Sequence, residues 1–271
     1  MDHLATLLNQ FNLHAATYFQ GGFCGSSHYT DPACGHIHLL RGGGMTFQEH
    51  GGRLHRLEEP GLMMVVRPNA HRLIASESDR AELVCATLRF DGGAANPLRQ
   101  ALPDYIVSPL RELPQLKGCI DWLFDEVAGQ GIARELVLNR LFELAVIQLL
   151  RQLMAERRVS PGVLAGLADS RLCRALAAMH ERPREPWTVA GLAGLAAMSR
   201  ASFAEHFRRV VGDTPADYLA TWRVTLAQRR LRAGTPIAVV AQEVGYESAS
   251  ALARAFRRKI GLSPTQWLRL D

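Results

Sequence analysis

Apolar positions change their period along this chain, and each change marks a different kind of structure. Near the start, Leu4, Leu7, Leu8 and Phe11 stand at helical spacing, which predicts a short helix within residues 1–20. From Gly21 to about Phe90 short runs at 36–41, 45–48, 62–67 and 82–90 are separated by Gly-Gly-Gly, Gly-Gly and Pro-Gly. Closely spaced runs with turn signals predict an all-β sandwich or barrel. Alternation is clearest at 83–90, where Val84, Ala86, Leu88 and Phe90 form one apolar face and Leu83, Cys85, Thr87 and Arg89 a mixed one. After Pro97 the period becomes helical, at 116–127 and 134–157. The second helix has an apolar surface wide enough either to pack on the β-rich part or to share in a dimer interface, and both readings stay open. Val159-Ser160-Pro161-Gly162 then reads as a linker.

The last part of the chain repeats itself. Phe207 and Phe256, Gly212 and Gly261, Pro215 and Pro264, and Tyr218 and Trp267 share an offset of 49 residues. Each copy predicts a helix-turn-helix. A short helix (189–196; 237–244) is followed by a tight turn, at Gly245 in the second copy, and by a second helix (200–211; 248–260). Ser199 and Ser248 are placed as N-caps, and Gly212 and Gly261 stand where a helix end requires a left-handed residue. Thr214-Pro215 and Ser263-Pro264 supply the cap and first position of the next helix. Phe203, Phe207 and Val211, like Leu252, Phe256 and Ile260, hold one face of the second helices. Arg200, Arg208 and Arg209 hold the other face in the first copy, and Arg254, Arg257, Arg258 and Lys259 in the second. A helix with an apolar inner face and a basic outer face fits the major groove of DNA.

Charge sharpens this division. The 271 residues carry a net charge of +5. Residues 165–271 hold 16 Lys and Arg against 9 Asp and Glu, whereas residues 1–164 hold 15 against 17. A basic C-terminal part on a near-neutral body predicts a polyanion-binding domain joined to something else. With 48% hydrophobic residues, disorder is excluded. The opening residues show no basic segment and no apolar run of signal length, so no secretory signal is expected. The most apolar stretch, 136–153, is interrupted by Asn139, Arg140, Glu143, Gln148, Arg151 and Gln152 and reads as an amphipathic helix, so a cytoplasmic protein without membrane contact is expected. The cysteines, Cys24, Cys34, Cys85, Cys119 and Cys173, are odd in number and should be reduced at rest.

The stretch 187–270 resembles the tandem helix-turn-helix domain of the AraC family of bacterial transcription regulators. The likeness lies in Leu192-Ala193, Ala197-Met198-Ser199, Phe207-Arg208, Gly212-Asp213-Thr214-Pro215, Arg223, Ala227, Ala241, Gly245-Tyr246, Phe256-Arg257 and Gly261-Leu262-Ser263-Pro264. The N-terminal part is similar to the cupin-type sensor domain of many such regulators. Carried over by position, the resemblance makes Ala201, Ala204 and Glu205 base-facing in the first recognition helix, and Ala249, Ser250, Ala253 and Arg254 in the second. Arg254 is suited to pair with guanine. Alanines and a glutamate in the first helix depart from what base readout wants; Glu205 can accept from cytosine or bind Arg208 or Arg209. Arg208, Arg209, Arg257, Arg258 and Lys259 read as phosphate contacts.

Chemistry in the sensor part is less determined. Cys24, His28, Cys34, His36 and His38 cluster in sequence, and His71 follows in Arg67-Pro68-Asn69-Ala70-His71-Arg72-Leu73. One reading is thiol redox sensing, with a nearby Arg or His lowering a cysteine pKa. Another is a metal held by His36, His38 and His71, for which Glu49 lies beyond the usual spacing. A third is a small organic ligand in the barrel. Over most of its length the chain resembles the reactive-chlorine-sensing members of the AraC family. The shared features include a cysteine near position 24, Asn69-Ala70-His71-Arg72-Leu73 and Val84-Cys85-Ala86-Thr87-Leu88-Arg89. The resemblance implies that Cys24 and Cys85 carry an oxidant response, with Cys34 as a substitute partner; Cys119 and Cys173 are assigned to packing.

The expectation is therefore an α+β two-domain protein. Residues 1–158 form a cupin-like β-barrel with a helical appendage, 159–168 a linker, and 169–271 an all-α tandem helix-turn-helix domain. It is expected to be a regulator and not an enzyme, without a cofactor. It acts on double-stranded promoter DNA and RNA polymerase, answers an oxidant or a small-molecule effector, and forms a homodimer.

Overall fold

The computed structural model describes residues 3–10, 12–31, 34–67, 69–91 and 96–269. Phe11, Pro68 and Leu270, used in the sequence patterns above, lie outside that set. Contacts divide the chain into two compact units. One is built from 12–91 and 102–158, the other from the described parts of 1–11, 92–101 and 159–271.

The first unit holds two antiparallel sheets. Strands β1 (Leu13–Phe23), β3 (Gly35–Gly42), β6 (Gly61–Val65), β8 (Ala81–Phe90) and β9 (Tyr105–Pro109) form one, in the order β1-β8-β3-β6-β9. Strands β2 (Gly25–Tyr29), β4 (Met45–Glu49), β5 (Leu54–Leu57) and β7 (His71–Ala75) form the other, in the order β2-β7-β4-β5. One core joins them, with Leu40, Met63, Val65, Leu83 and Cys85 from the first sheet and Met45, Phe47, Leu57, Leu73 and Ala75 from the second. This is the expected barrel-like architecture, built as facing sheets.

Two local expectations change here. The helix expected within 1–20 ends at Gln10, and residues from Leu13 onward join β1. Leu13 and Ala15 are buried while His14 and Ala16 are exposed, a period of two that the ladder with β8 imposes. In β8 the mixed face, carrying Leu83 and Cys85, is the one turned to the shared core. The uniformly apolar face of Val84, Ala86 and Leu88 is buried as well.

Helices α3 (Lys117–Ala128) and α4 (Arg134–Ala155) complete this unit, and α4 packs on β1. Because β1 is an edge strand, its outer amides need partners. Asn139 Oδ1 accepts from the Thr17 amide at 2.8 Å and from its hydroxyl at 3.0 Å, and Glu143 Oε1 accepts from the Ala15 amide at 3.3 Å. Two of the polar residues that interrupt the apolar pattern of α4 are thus the groups that close the sheet edge.

The second unit is helical: α1 (His3–Gln10), α2 (Pro97–Ala101), α5 (Val163–Ala168), α6 (Leu172–Glu181), α7 (Val189–Leu195), α8 (Arg200–Val211), α9 (Pro215–Arg232), α10 (Ile237–Val244), α11 (Ala249–Ile260) and α12 (Pro264–Trp267). Part of the stretch expected as linker forms α5, whose Val163, Leu164 and Leu167 are buried. Helix α1 packs on α6 through this same unit, with Leu7 fully buried. No helix among the described residues is long and apolar enough to cross a membrane.

Candidate nucleic-acid interface and sensor core

The recognition helices are fixed by matching local devices. Ser199 Oγ accepts from the Ser202 amide at 3.3 Å and Ser248 Oγ from the Ala251 amide at 3.1 Å, so α8 and α11 start on the same cap. Both end on a left-handed glycine, Gly212 at φ 90° and Gly261 at φ 84°. Phe203, Phe207 and Val211 bury one face of α8, and Leu252, Ala255 and Phe256 one face of α11.

The opposite faces are open. Arg200, Ala201, Glu205, Arg208 and Arg209 are exposed on and around α8, with Ala204 half-buried. On α11, Ser248, Ser250, Arg254, Arg257 and Arg258 are exposed, with Ala249, Ala253 and Lys259 half-buried. Among the described residues Arg200, Arg208, Arg254 and Arg257 form no ion pair, which leaves their guanidinium groups available to an outside anion. Glu205 pairs with neither Arg208 nor Arg209. Arg209 instead donates to His206 Nδ1 at 2.7 Å, and His206 Nε2 meets Asp169 at 2.8 Å. Lys259 lies 3.6 Å from Asp217. Sequence patterning gave no sign of the His206–Asp169 link, because its partners are 37 residues apart.

In the sheet unit, His36, His38 and His71 come together. Register places His36 and His38 on the inner face of β3, and His71 enters from β7 of the facing sheet. Ring centroids lie 5.1 Å apart for His36 and His71 and 5.2 Å for His38 and His71. His38 and His71 meet Nε2 to Nε2 at 3.0 Å, and His71 Nδ1 reaches the Asn69 carbonyl at 3.1 Å. Burial holds all three imidazoles below their ordinary pKa, His71 at about 4, so they are neutral. Tyr29 stacks on His71 at 4.8 Å, and the Tyr18 hydroxyl lies 3.4 Å from His38 Nδ1. Among the described residues no group of His, Cys, Asp and Glu is arranged to hold a metal ion, and the facing nitrogens of His38 and His71 are taken up with each other.

Cys85 sits directly opposite His38 in the β3–β8 ladder. Directly opposed residues share a face of the sheet. The expected lowering of its thiol pKa is reversed: burial pushes Cys85 up to about 12, only partly offset by a hydrogen bond from Tyr18. Tyr18 reaches it because β1 carries a bulge between Thr17 and Phe19, which sets an extra residue against Ala86 and Cys85 of β8. Cys24 is exposed at the corner between β1 and β2. The residue of β1 paired with Cys85 is Phe19, five positions before Cys24, a separation of about 16 Å along a strand. Disulfides need Cα atoms within about 7 Å, so the structure does not bring Cys24 and Cys85 together. Cys34 is buried with its thiol donating to Asp31 at 3.1 Å, and burial raises its pKa to about 11. Cys119 donates to the Leu141 carbonyl and Cys173 to that of Ser170, both on helices.

A family model described as Cupin matches residues 2–155, and one described as Helix-turn-helix domain matches residues 192–270. The transcriptional regulator AlkR of Acinetobacter baylyi is 31% identical over 209 residues, covering 74% of this chain and 67% of that protein. This chain belongs to the AraC family of transcription regulators. An AraC-like regulator of Streptomyces antibioticus is 44% identical over 142 residues, and the match spans 51% of this AraC-family chain and 46% of that relative, about half its length. The RCS-specific transcriptional activator RclR of Escherichia coli K12 is 29% identical over 98% of this chain and 97% of its own length. The cupin-type N-terminal domain and helix-turn-helix C-terminal domain expected from the sequence are thus both present.

Proposed function

We propose that this chain is a cytoplasmic transcription activator that binds double-stranded promoter DNA through α8 and α11 and responds to reactive chlorine through Cys85 and Cys24. The observation that carries the DNA-binding half is the pair of matched, capped helices α8 and α11 with their arginine faces exposed. Full-length similarity to an activator named for reactive chlorine species supports the sensing half.

On DNA, Arg254 pairs with guanine, and Ala201, Ala204, Glu205, Ala249, Ser250 and Ala253 line the base edges. Arg200, Arg208, Arg209, Arg257, Arg258 and Lys259, with the Ser248 end of α11, hold phosphates and set register. In the sensor, hypochlorous acid oxidises Cys85 to a sulfenic acid, giving up chloride and a proton. The Cys24 thiol then attacks that sulfur, water leaves, and a disulfide forms. Since those residues lie well beyond disulfide reach in the reduced fold, closing the bond pulls the Phe19–Phe23 end of β1 out of the β8 ladder. Strand β1 is held at its other edge by Asn139 and Glu143 of α4, so a shift of β1 is passed to that helix. Helices α3 and α4 expose Trp122, Leu136 and Leu144, and a homodimer through this surface, with RNA polymerase as the downstream partner, completes the proposal.

The test begins with selection of DNA sites by the full chain, followed by transcription from a promoter carrying the selected site, with and without one equivalent of hypochlorite. Induction by wild type and none by Cys85→Ser is the expected result. Equal induction of both would end the sensing half of the proposal.

A further inference from the structure

Both helix-turn-helix copies are built on one helix, α9, and they use different stretches of it. Near its start Tyr218 packs edge-on against Phe207 of α8, with ring centroids 5.7 Å apart. Toward its end Val224, Ala227 and Leu231 join the core of the second copy with Val240, Leu252 and Phe256. Arg223 stands between those stretches and is half-buried. Its guanidinium forks onto two carbonyls: Nε donates to that of Pro183 at 2.7 Å, and Nη2 to that of Glu185 at 2.9 Å. Both carbonyls belong to 182–187, the segment that leads into the Thr188 cap of α7. That segment is tied to itself. The Arg182 carbonyl accepts from the Glu185 amide at 3.2 Å and from Trp187 Nε1 at 3.0 Å, and the Glu185 carbonyl accepts from the Trp187 amide at 2.8 Å. Pro183 and Pro186 stiffen it further. The Arg223 guanidinium also lies over the Tyr246 ring, 5.6 Å from its centroid. At Gly245, with φ 93°, a methyl group would meet the Pro183 carbonyl at 2.8 Å and the Arg223 guanidinium carbon at 3.0 Å. The turn of the second copy is therefore pressed onto the lead-in to the first, with Arg223 in the joint.

We propose that Arg223 is a positioning residue that fixes α8 relative to α11, and so sets the number of base pairs the chain accepts between its two half-sites. This rests on reading α8 and α11 as the helices that enter DNA. Packing on a shared helix still allows small sliding and tilting of each copy. A contact away from that helix removes the freedom, and the joint at Arg223 is such a contact. Its chemistry suits the task. The planar fork of an arginine holds two acceptors in one fixed direction, whereas an ammonium on a flexible stem fixes neither. The Tyr246 ring takes the face of the same group. With Nε and Nη2 given to the protein, Arg223 acts through the helices it links and not through a phosphate. Recognition helices that share one face of DNA meet major-groove segments about 34 Å apart. One added base pair shifts the second segment by about 3.4 Å and turns it by about 34°. A fixed pair of helices rejects that change, and a loose pair accommodates it.

Full-length Arg223→Gln and Arg223→Lys are compared with wild type on three kinds of duplex at low salt. These are the site selected by the wild type, each half-site alone, and the selected site with one base pair inserted or removed between the half-sites. Wild type is expected to lose on the order of 100-fold in affinity on either spacing change, the scale of losing several base contacts. Both variants are expected to bind each half-site as wild type does, and to lose less than about 10-fold on the spacing changes. Arg223→Lys keeps the charge without the fork, so it is expected to follow Arg223→Gln; should the glutamine variant fail to fold in urea titration, the lysine variant carries the comparison alone. A phosphate contact would instead leave Arg223→Lys near wild type and lower the salt slope of Arg223→Gln by about 1. That result, or a spacing preference unchanged in both variants, overturns the positioning role and leaves the DNA-binding reading intact. Loss on isolated half-sites as large as on the whole site overturns it as well. Selected-site binding that Arg254→Ala and Arg257→Ala leave untouched overturns both readings.

Discussion

Glu205 and Arg254 occupy the same place in the two recognition helices, each the sixth residue of its helix and each exposed. One position thus presents an acceptor in α8 and a forked donor in α11. If both reach base edges, the half-sites read by the two helices differ in sequence. Arg254→Ala is expected to cost about 1–3 kcal/mol of specific binding and to relax preference at one base pair. Glu205→Ala is expected to relax preference in the other half-site with little loss of affinity. Binding to a library of single-base variants of the selected site checks both.

The phosphate-facing arginines predict a different signature. Arg257→Ala should weaken binding to all sequences alike and lower the slope of log affinity against log salt by about 1. Titration at several salt concentrations separates this from loss of base contact.

The turns of the two helix-turn-helix units make a paired stability prediction. Ala197 has φ 53° where the second copy has Gly245 at φ 93°. Ala197→Gly relieves left-handed strain and should stabilise the fold by about 1 kcal/mol. In Gly245→Ala the added methyl would come within 2.8 Å of Arg184 Cα and the Pro183 carbonyl, so a loss of about 2 kcal/mol or more is expected. Urea unfolding of the two variants measures the opposite shifts.

Much of the C-terminal unit was legible because helix-turn-helix signals are local. The caps at Ser199, Ser248, Thr214 and Ser263 and the glycines at 212 and 261 lie within a few residues of what they fix. The short strands were legible for a similar reason, from alternation and glycine turns. What escaped depends on pairing between distant segments. Residues 13–20 looked helical from Leu4 to Phe11 onward, yet a ladder with β8 makes them strand. The bulge that aims Tyr18 at Cys85 leaves no mark in composition. That His36 and His38 share a face could be read from their spacing, but their meeting with His71 needs the facing sheet. The direction of the Cys85 shift also needed the fold, since burial outweighs the hydrogen bond from Tyr18.

Those buried imidazoles make the sensor unit acid-sensitive. His38 and His71 are held neutral in the folded chain, mainly by burial, and take up protons near pH 6.5 once unfolded. Stability is therefore full above about pH 6.5 and is lost as pH falls toward 4, with His71 alone accounting for about 3 kcal/mol. Urea midpoints across that range should fall steeply for the wild type and less steeply for His71→Asn. Equal slopes would contradict the buried neutral pair.

The most direct test of the sensing account is a peptide map of the full chain before and after stoichiometric hypochlorite, with remaining thiols alkylated. The account predicts a loss of two hydrogens and a linked peptide joining Cys24 to Cys85, with Cys119 and Cys173 still alkylated. All five cysteines remaining free to alkylate would contradict it.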